Sequence, residues 1–475
     1  MKTSEEYAAR LARMRPNVYA HGKKIRRDDP MLEMPINTLK FTFDAVNDPE
    51  LKDLLVTESH LTGEPINRFC SLNMSIDDLY KQQDMKRRCC HRVGGCTQRC
   101  MATDTLNAIG VVTKEIDDAR GTGYFDHFIE FLKYYQANDL VGSTAMTDAK
   151  GDRLRRPSQQ HDPDLYLHVV EKNDKGIVVK GAKNHITMGP YVDEHLVIPT
   201  RAMKEDDADW AVSFAIPADA ENIKIISRVV SARPRIELDA PYNTFGVADS
   251  VVVFDNVFVP WERVFMCGEW QFAGRLAQVF AGQHRHSYCG CKPAITDIVL
   301  GTAALAAEYN GVEKSSHIVD ELTELMIIAE LIFASGIAAA ARAQKTSSGI
   351  YTPEFLYSNT GRYFAGINIY HEYDVLNSIA GGLPSTIPPE ADWLNPETGP
   401  DLEKYISRGA KIPAEKLHRL FRFISDFTCS AMAGWSQYAG VHGGGSPVME
   451  KIGVRAGYDL ESKKKIAKHL AGIKD

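Results

Sequence analysis

Several features are missing from this 475-residue sequence, and each absence narrows the class of protein. No run of about 18 apolar residues occurs, and the N-terminal segment MKTSEEYAARLARMRP carries many charges, so neither a membrane span nor export is predicted. An excess of basic residues is also lacking, and the net charge of −7 argues against general affinity for nucleic acid. Internal repeats and low-complexity tracts are absent. We expect a globular, cytoplasmic protein.

Cysteine is present in quantity, but its pattern does not suggest disulfide bonds. The nine cysteines are odd in number, and the reducing cytoplasm disfavours disulfides. Six of the nine fall in two stretches, RRCCHRVGGCTQRC at 87–100 and FAGQHRHSYCGCKPA at 280–294. The CxxC spacing of common zinc sites is absent. The clustering of thiols with His, Tyr and Lys favours metal or redox chemistry.

The pattern of apolar residues divides the chain into three parts. Residues 1–141 are mostly helical in pattern, and residues 142–268 contain short β-branched runs with a predicted hairpin turn at Asn173–Gly176. Residues 269–475 return to helix, where Val319–Gln344 is apolar on most sides and is expected in the middle of a bundle. We predict an α+β fold with an N-terminal helical domain, a middle β-barrel-like domain and a C-terminal long-helix bundle.

Helical spacing brings reactive side chains of the two cysteine stretches onto common faces. His284, Tyr288 and Cys291 would lie within about 60° of one another, with Lys292 at the edge of that face. Pro293 predicts a kink or a helix end just after Cys291. In the first stretch, Cys96 and Cys100 are one helical turn apart.

Three thiolates and one imidazole from these stretches would suit either Zn²⁺ or an iron–sulfur cluster. Buried structural thiols and a satisfied core histidine are the alternative interpretation. Three further segments are ambiguous. Ala145–Arg153 could bind a ligand or form a polar turn, HGGGSP at 442–447 could approach a phosphate or be a plain loop, and Lys86–Arg88 could meet an anionic cofactor or form a solvated helix face.

The order of helices, β domain and long-helix bundle resembles the acyl-CoA dehydrogenase fold. Within it, nearly the whole chain resembles the 4-hydroxybutyryl-CoA dehydratase/vinylacetyl-CoA Δ-isomerase family. The segments that carry the resemblance are CTQRC, AMTDAKGD, GAKNHIT, VFDNVFVPWERVF, HRHSYCGCK and VHGGGSP. The resemblance implies FAD, a [4Fe–4S] cluster, an acyl-CoA substrate and a homotetramer in which neighbouring subunits complete the FAD sites.

Site residues follow from the same resemblance, position by position. The cluster ligands of the family match Cys96, Cys100, His284 and Cys291. The expected catalytic residues are His284, Tyr288, Lys292 and Thr187, with His284 acting as both ligand and base. The expected flavin contacts are Met146, Thr147, Asp148 and Thr187.

The resemblance implies radical dehydration of a hydroxyacyl-CoA, of the type that converts 4-hydroxybutyryl-CoA to crotonyl-CoA, together with isomerisation of vinylacetyl-CoA. The alternatives are a paralogue acting on another acyl-CoA, a two-component flavin-dependent aromatic monooxygenase and a non-catalytic zinc-binding protein. Ala439 stands where the family has a glutamate, and Asp249 lies near the place of another family acid. Four residues have no assigned role: Cys89, Cys90, Cys289 and His286.

Overall fold

The computed structural model describes residues 1–235, 238–409 and 411–473. Helices α1 to α16 are Ser4–Arg13, Glu33–Asp44, Lys52–Leu55, Ile76–Val93, Cys100–Arg120, Tyr124–Ala137, Trp270–Asn310, Ser316–Ala341, Phe355–Ala380, Leu383–Thr386, Glu390–Leu394, Gly399–Tyr405, Ala414–Cys429, Ala431–His442, Pro447–Gly457 and Leu460–Ala471. Strands β1 to β14 are Val18–Ala20, Lys23–Ile25, Val56–Glu58, Pro65–Asn67, Gly142–Ala145, His168–Asn173, Gly176–Thr187, Glu194–Val197, Val212–Pro217, Ile223–Ser231, Gly246–Pro260, Val264–Cys267, Gln344–Lys345 and Tyr351–Thr352.

The strands of the middle region form two sheets. One has six strands in the order β2-β1-β10-β11-β7-β6, and the other has four in the order β12-β9-β8-β5. The predicted hairpin is confirmed, because Asn173 of β6 pairs with Gly176 of β7. Residues 18–25, expected among helices, are instead the strands β1 and β2, since β1 pairs in parallel with β10. The divisions at 141/142 and 268/269 stay predictions.

One hydrophobic core joins the first helices to the sheets. It includes Tyr7 of α1, Leu106 of α5, Val197 of β8 and Phe280 of α7, none more than 7% exposed. A second core lies among α7, α9 and α13. Helix α7 contributes to both cores, and the cysteine stretch of residues 280–294 lies in its middle.

Helix α7 runs for 41 residues and continues through Pro293, so of the predicted kink or helix end just after Cys291, the helix end is wrong. Proline lacks the N–H that would bond the carbonyl of Cys289 four residues earlier. The side chain of Gln83, from α4, replaces that donor, with its Nε2 3.1 Å from the Cys289 oxygen. The broken hydrogen bond is therefore compensated from outside the helix, which allows α7 to continue.

Helix α8 confirms the predicted long apolar helix but not its place in the middle of a bundle. One side packs on α4, α7 and α9, while large apolar side chains of the other side are exposed, including Ile327 (54%) and Leu331 (51%). Within the described part of the chain, α7 and α8 are long and apolar enough to cross a membrane by length and composition alone. In α7 that apolar segment is 61% buried inside the protein, as in a core helix.

A buried histidine in the four-stranded sheet gives a prediction about acid stability. Burial lowers the pKa of His195 from 6.5 to about 3. Between these values the unfolded chain binds a proton that the folded chain does not, so the free energy of unfolding falls as the pH falls, by about 1.4 kcal/mol per pH unit for this residue. Denaturant unfolding between pH 7 and pH 5 should show a shallower pH slope for His195→Gln; equal slopes in both proteins would contradict the assignment.

Candidate active site

The loop that carries Cys96 is held by the buried residues between it and Cys100. Gln98 has a left-handed backbone (φ 67°), and its side chain accepts from the Tyr191 hydroxyl at 2.7 Å and donates to the Gly246 carbonyl at 3.1 Å. Arg99 is fixed by Asp139, 2.5 Å away. These anchors bring the two thiols together: the pKa of Cys100 is raised well above its ordinary value, first by a hydrogen bond with the Cys96 thiol and then by burial.

Asp104 lies one helical turn after Cys100 on α5 and binds the predicted histidine. Its Oδ2 is 2.8 Å from His284 Nδ1, and its Oδ1 accepts from the Ser287 hydroxyl at 2.7 Å. Lys86 donates to the same hydroxyl at 2.7 Å and lies 3.7 Å from the carboxylate. Burial acts to raise the pKa of Asp104, but Lys86 and the bonds from His284 and Ser287 outweigh it and hold that pKa below its ordinary value. The carboxylate is thus ionised and orients the imidazole.

The predicted helical face of α7 forms as the spacing requires. The ring of His284 stacks on Phe280 at 5.4 Å and meets Tyr288 edge-on at 5.2 Å. Cys291 packs with Cys90 and Tyr288. The pKa of the Cys291 thiol is raised well above its ordinary value, first by burial and then by the neighbouring thiols of Cys90 and Cys100. The two cysteine stretches therefore meet.

Helix α14 connects this face to the β region. The Tyr288 hydroxyl donates to the carbonyl of Ala439 at 3.1 Å. One turn earlier on α14, the indole N–H of Trp435 donates to Asp249, whose other oxygen accepts from Thr187 at 2.5 Å. The predicted flavin threonine, through Asp249, and the predicted substrate tyrosine thus both attach to α14, at positions about one helical turn apart along its axis.

Lys292 is one turn beyond Tyr288 and is buried with a carboxylate from α9. Its ammonium lies 2.6 Å from Glu372 Oε2, which also accepts from Thr296 at 3.0 Å. Both members of the pair are at most 3% exposed. The ion pair with Glu372 therefore fixes the position of the Lys292 ammonium.

The buried ion pair of Lys292 and Glu372 predicts that substitutions of the two residues will not have additive effects on the free energy of unfolding. Lys292→Met or Glu372→Leu alone leaves one uncompensated buried charge and should lower the free energy of unfolding by about 3–5 kcal/mol. The double variant removes both charges and should recover most of that loss. Chemical denaturation of the four proteins measures the cycle, and losses that simply add would show that the two side chains do not interact.

The predicted flavin loop contacts β7 rather than the face of α7. The Thr147 carbonyl accepts from Asn184 N–H at 2.6 Å, and Lys183 bonds the Met146 carbonyl at 2.9 Å. The carboxylate of Asp148 is buried against Lys183 at 2.8 Å. Met146 and Thr147 are half-buried, while Asp148 is committed to an internal ion pair.

The glycines of HGGGSP pack on the α7 face. A Cβ on Gly443 would overlap the Tyr288 hydroxyl, and one on Gly444 would lie 3.2 Å from the His284 ring. Arg362, fully buried on α9, donates to the Gly443 carbonyl at 2.7 Å and lies 4.3 Å from the Tyr288 ring centre. The loop therefore closes over His284 and Tyr288.

Sequence patterns missed several of these partners. Asp104 is the one charged residue in the first thirteen residues of α5, a signal that could have been read, but Glu372 and Arg362 carry none. One interpretation of the sequence placed Lys86 on a solvated helix face. It is wrong, because Lys86 is only 2% exposed.

Two of the residues without an assigned role are buried. The thiol of Cys289 packs among Ile328, Ile332 and Ala365. Burial, with a contribution from Lys86, lowers the pKa of His286 to about 3.

Comparison with known proteins identifies the family of the fold. Residues 3–266 match the family model "4-hydroxyphenylacetate 3-hydroxylase N terminal", and residues 273–472 match its C-terminal counterpart. The chain is 27% identical to the oxygenase component of 4-hydroxyphenylacetate 3-monooxygenase from Geobacillus sp. (strain PA-9), over 100% of this chain and 97% of the relative. A solved oxygenase component, HpaB, complexed with FAD has the same fold, with a TM-score of 0.90 at 24% identity over 99% of this chain and 98% of that one.

Two other relatives are more similar. The structure of an oxygen-tolerant archaeal 4-hydroxybutyryl-CoA dehydratase from N. maritimus superposes with a TM-score of 0.95 at 36% identity, covering 100% of this chain and 95% of that one. The 4-hydroxybutyryl-CoA dehydratase/vinylacetyl-CoA-Δ-isomerase of Clostridium aminobutyricum is 40% identical over the full length of both chains. The chain therefore belongs to the 4-hydroxybutyryl-CoA dehydratase/vinylacetyl-CoA Δ-isomerase family, an enzyme family of the 4-hydroxyphenylacetate 3-hydroxylase type.

Proposed function

We propose that this enzyme dehydrates a hydroxyacyl-CoA of the 4-hydroxybutyryl-CoA type and isomerises vinylacetyl-CoA, with FAD and a [4Fe–4S] cluster as cofactors. The observation that carries the proposal is that Cys100, with Cys96 beside it, lies near Cys291, about 190 residues later in the chain, while Asp104, one turn after Cys100, holds His284. The names of the full-length relatives supply the substrate class.

The residues present suit the cluster. Asp104 occupies Nδ1 of His284 and leaves Nε2 as the ligand atom, which is how metal-binding histidines are usually oriented. Within residues 1–235, 238–409 and 411–473, no three His, Cys, Asp or Glu side chains stand close enough to hold a single metal ion. Sulfur ligands of one zinc ion lie about 3.8 Å apart, whereas a four-iron cluster distributes its ligands over different irons. Three thiolates and one imidazole are a donor set that suits a four-iron cluster.

FAD would lie between the β region and α14, beside Thr187. Support comes from the half-buried Thr187 side chain, from the half-buried Met146 and Thr147, and from the FAD complex of the hydroxylase with the same fold. Asp148 is proposed to support this loop through Lys183 rather than to touch the flavin. When bound, FAD supplies one-electron redox chemistry and the cluster supplies Lewis acidity toward the departing hydroxyl.

The protein's own side chains supply proton transfer and fixed charge. His284, held by an ionised Asp104, could accept and return a proton at Nε2 only while that atom is not bound to iron. Tyr288 presents a phenolic hydroxyl beneath the glycine loop, and Lys292 contributes a fixed positive charge one turn away. Position 439 is an alanine and supplies no carboxylate. The carboxylate near Thr187 is that of Asp249, which accepts a hydrogen bond from the Thr187 hydroxyl.

Cofactor analysis after anaerobic purification tests the proposal. We expect a brown protein with about four irons, four sulfides and one FAD per chain, and turnover of 4-hydroxybutyryl-CoA. A protein without iron that hydroxylates phenols with oxygen would point to the monooxygenase alternative. Zinc without flavin would point to the non-catalytic alternative, and turnover of a different hydroxyacyl-CoA alone would indicate a paralogue.

The exposed apolar side of α8 supports a homotetramer, because a second copy of the chain would cover it. Ile327→Glu/Leu331→Glu should lower the mass in solution from four chains to one or two, since the new carboxylates would have to be buried without partners. Light scattering after gel filtration measures the mass, and Leu154→Glu, at a residue that is 96% exposed, is the control. An unchanged mass in the double variant would exclude α8 from the interface.

A further inference from the structure

One face of the six-stranded sheet is covered at one end and open at the other. Asp249, Val251 and Val253 of β11 alternate onto this face, next to Arg228, Ile226 and Lys224 of β10, their register partners. At the end beyond Asp249, Met432 and Trp435 of α14 pack on Val230 and Val247. Away from α14 the face is open, and Ile226 is 48% exposed. Val251, Val253 and Ile226 therefore form an apolar strip, bordered by Arg228 and Lys224, that leads from the candidate site to solvent.

A cavity of about 440 Å³ lies at the open end of this strip. Four basic side chains, Arg15, Lys24, Lys180 and Lys224, line it together with two acidic ones, Asp164 and Asp255. Arg15 is bonded to the Asp219 and Ala220 backbone and Lys180 to Asp164, whereas Lys24 and Lys224 have no ion pair among the described residues. Tyr19 lies between them, as the strand partner of Lys24 on β2 and of Ile226 on β10. The cavity thus offers two uncommitted cations around a half-buried aromatic ring.

The cavity and the candidate site are separated by a defined length of strand. Val253, which lines the cavity, follows Asp249 by four residues on β11, a separation of roughly 13 Å. A ligand that reacts beside Thr187 and Asp249 and carries phosphates at the far end of a slender arm would reach both places. This geometry suits a long thioester.

We propose that this cavity binds the 3′-phosphorylated ADP end of the acyl-CoA substrate. Lys24 and Lys224 contact its phosphates, the adenine lies against Tyr19, and the pantetheine arm follows Val251 and Ile226 toward Thr187. The inference rests on the proposed function for the identity of the substrate. FAD also contains an ADP group, but lacks the 3′-phosphate that adds charge at this basic, open end.

Charge reversal combined with a truncated substrate tests the site. For Lys24→Glu/Lys224→Glu we expect kcat/KM on 4-hydroxybutyryl-CoA to fall about tenfold or more, through KM, while turnover of 4-hydroxybutyryl-pantetheine is unchanged. The KM for the CoA thioester should also depend less on salt. Lys52→Glu/Lys175→Glu, which makes the same charge change at exposed positions elsewhere, should behave like the unsubstituted enzyme.

Equal losses on both thioesters, or an unchanged KM for the CoA thioester, would overturn the assignment. Loss of FAD from the Lys24/Lys224 variant, with the CoA KM retained, would assign the cavity to the ADP of the flavin instead. Calorimetry with CoA, 3′-dephospho-CoA and ADP needs no turnover and separates this inference from the proposed function. CoA should bind the unsubstituted protein more tightly than 3′-dephospho-CoA does, and equal binding of CoA by the variant would refute the site even if the enzyme acts on another thioester.

Discussion

Cys291→Ser should abolish dehydration and remove iron from the protein, whereas Cys289→Ser should leave both in place. The two cysteines are two residues apart on α7, but the first lies beside Cys90 and Cys100 and the second among Ile328, Ile332 and Ala365. A serine hydroxyl is a poor ligand for iron, so we expect iron to fall from about four atoms per chain to none and activity to fall by more than about 10³-fold.

Both variants replace a cysteine of α7 with serine, so any general damage to that helix would affect both proteins. Iron, acid-labile sulfide, flavin and the rate of crotonyl-CoA formation should be measured on each after anaerobic purification. FAD should stay with both proteins, because its proposed contacts are on the β side. Full iron in Cys291→Ser, or loss of iron from Cys289→Ser, would show that the thiols have been assigned wrongly.

Asp104→Asn should produce the next largest loss. The substitution removes the charge that orients His284 and leaves Lys86, 2% exposed, without its carboxylate. We expect iron to be released to a chelator about 10–100 times faster, and the free energy of unfolding to fall by about 3–5 kcal/mol because a buried cation loses its partner.

Ser287→Ala separates the two effects. It removes the hydrogen bond to the other oxygen of Asp104 while leaving the one to His284, so it should cost stability without speeding iron release. If Asp104→Asn were less stable but released iron at the ordinary rate, Asp104 would have only a structural role. Chelator kinetics and denaturant unfolding on the same samples make the distinction.

The sequence predicted what depends on local spacing. The turn between β6 and β7 follows from Asp174-Lys175 between alternating runs, and the shared face of His284, Tyr288 and Cys291 follows from helical periodicity. The cysteine ligand set came from resemblance as well as from spacing, and it stays a prediction until iron is measured. The helix end at Pro293 failed because the compensating donor, Gln83, is about 200 residues away in the chain.

Long-range partners could not be read from the sequence for the same reason. Asp104 and His284 are 180 residues apart, and Lys86 and Ser287 are 201 apart. A lone acid or lysine in an amphipathic helix has the same local pattern whether it faces water or a buried partner. Glu372, for example, occupies an ordinary position of α9, and only the packing of α9 on α7 brings it to Lys292.

The attachment of α14 to both halves of the site has a consequence for how this region tolerates insertion. Trp435 reaches the Thr187 side and Ala439 the Tyr288 side, with three residues between them. One extra residue in that interval would rotate everything after it by about 100° and advance it by about 1.5 Å. Neither attachment could then be kept without giving up the other, so the geometry fixes the length of this segment as well as the identity of Trp435.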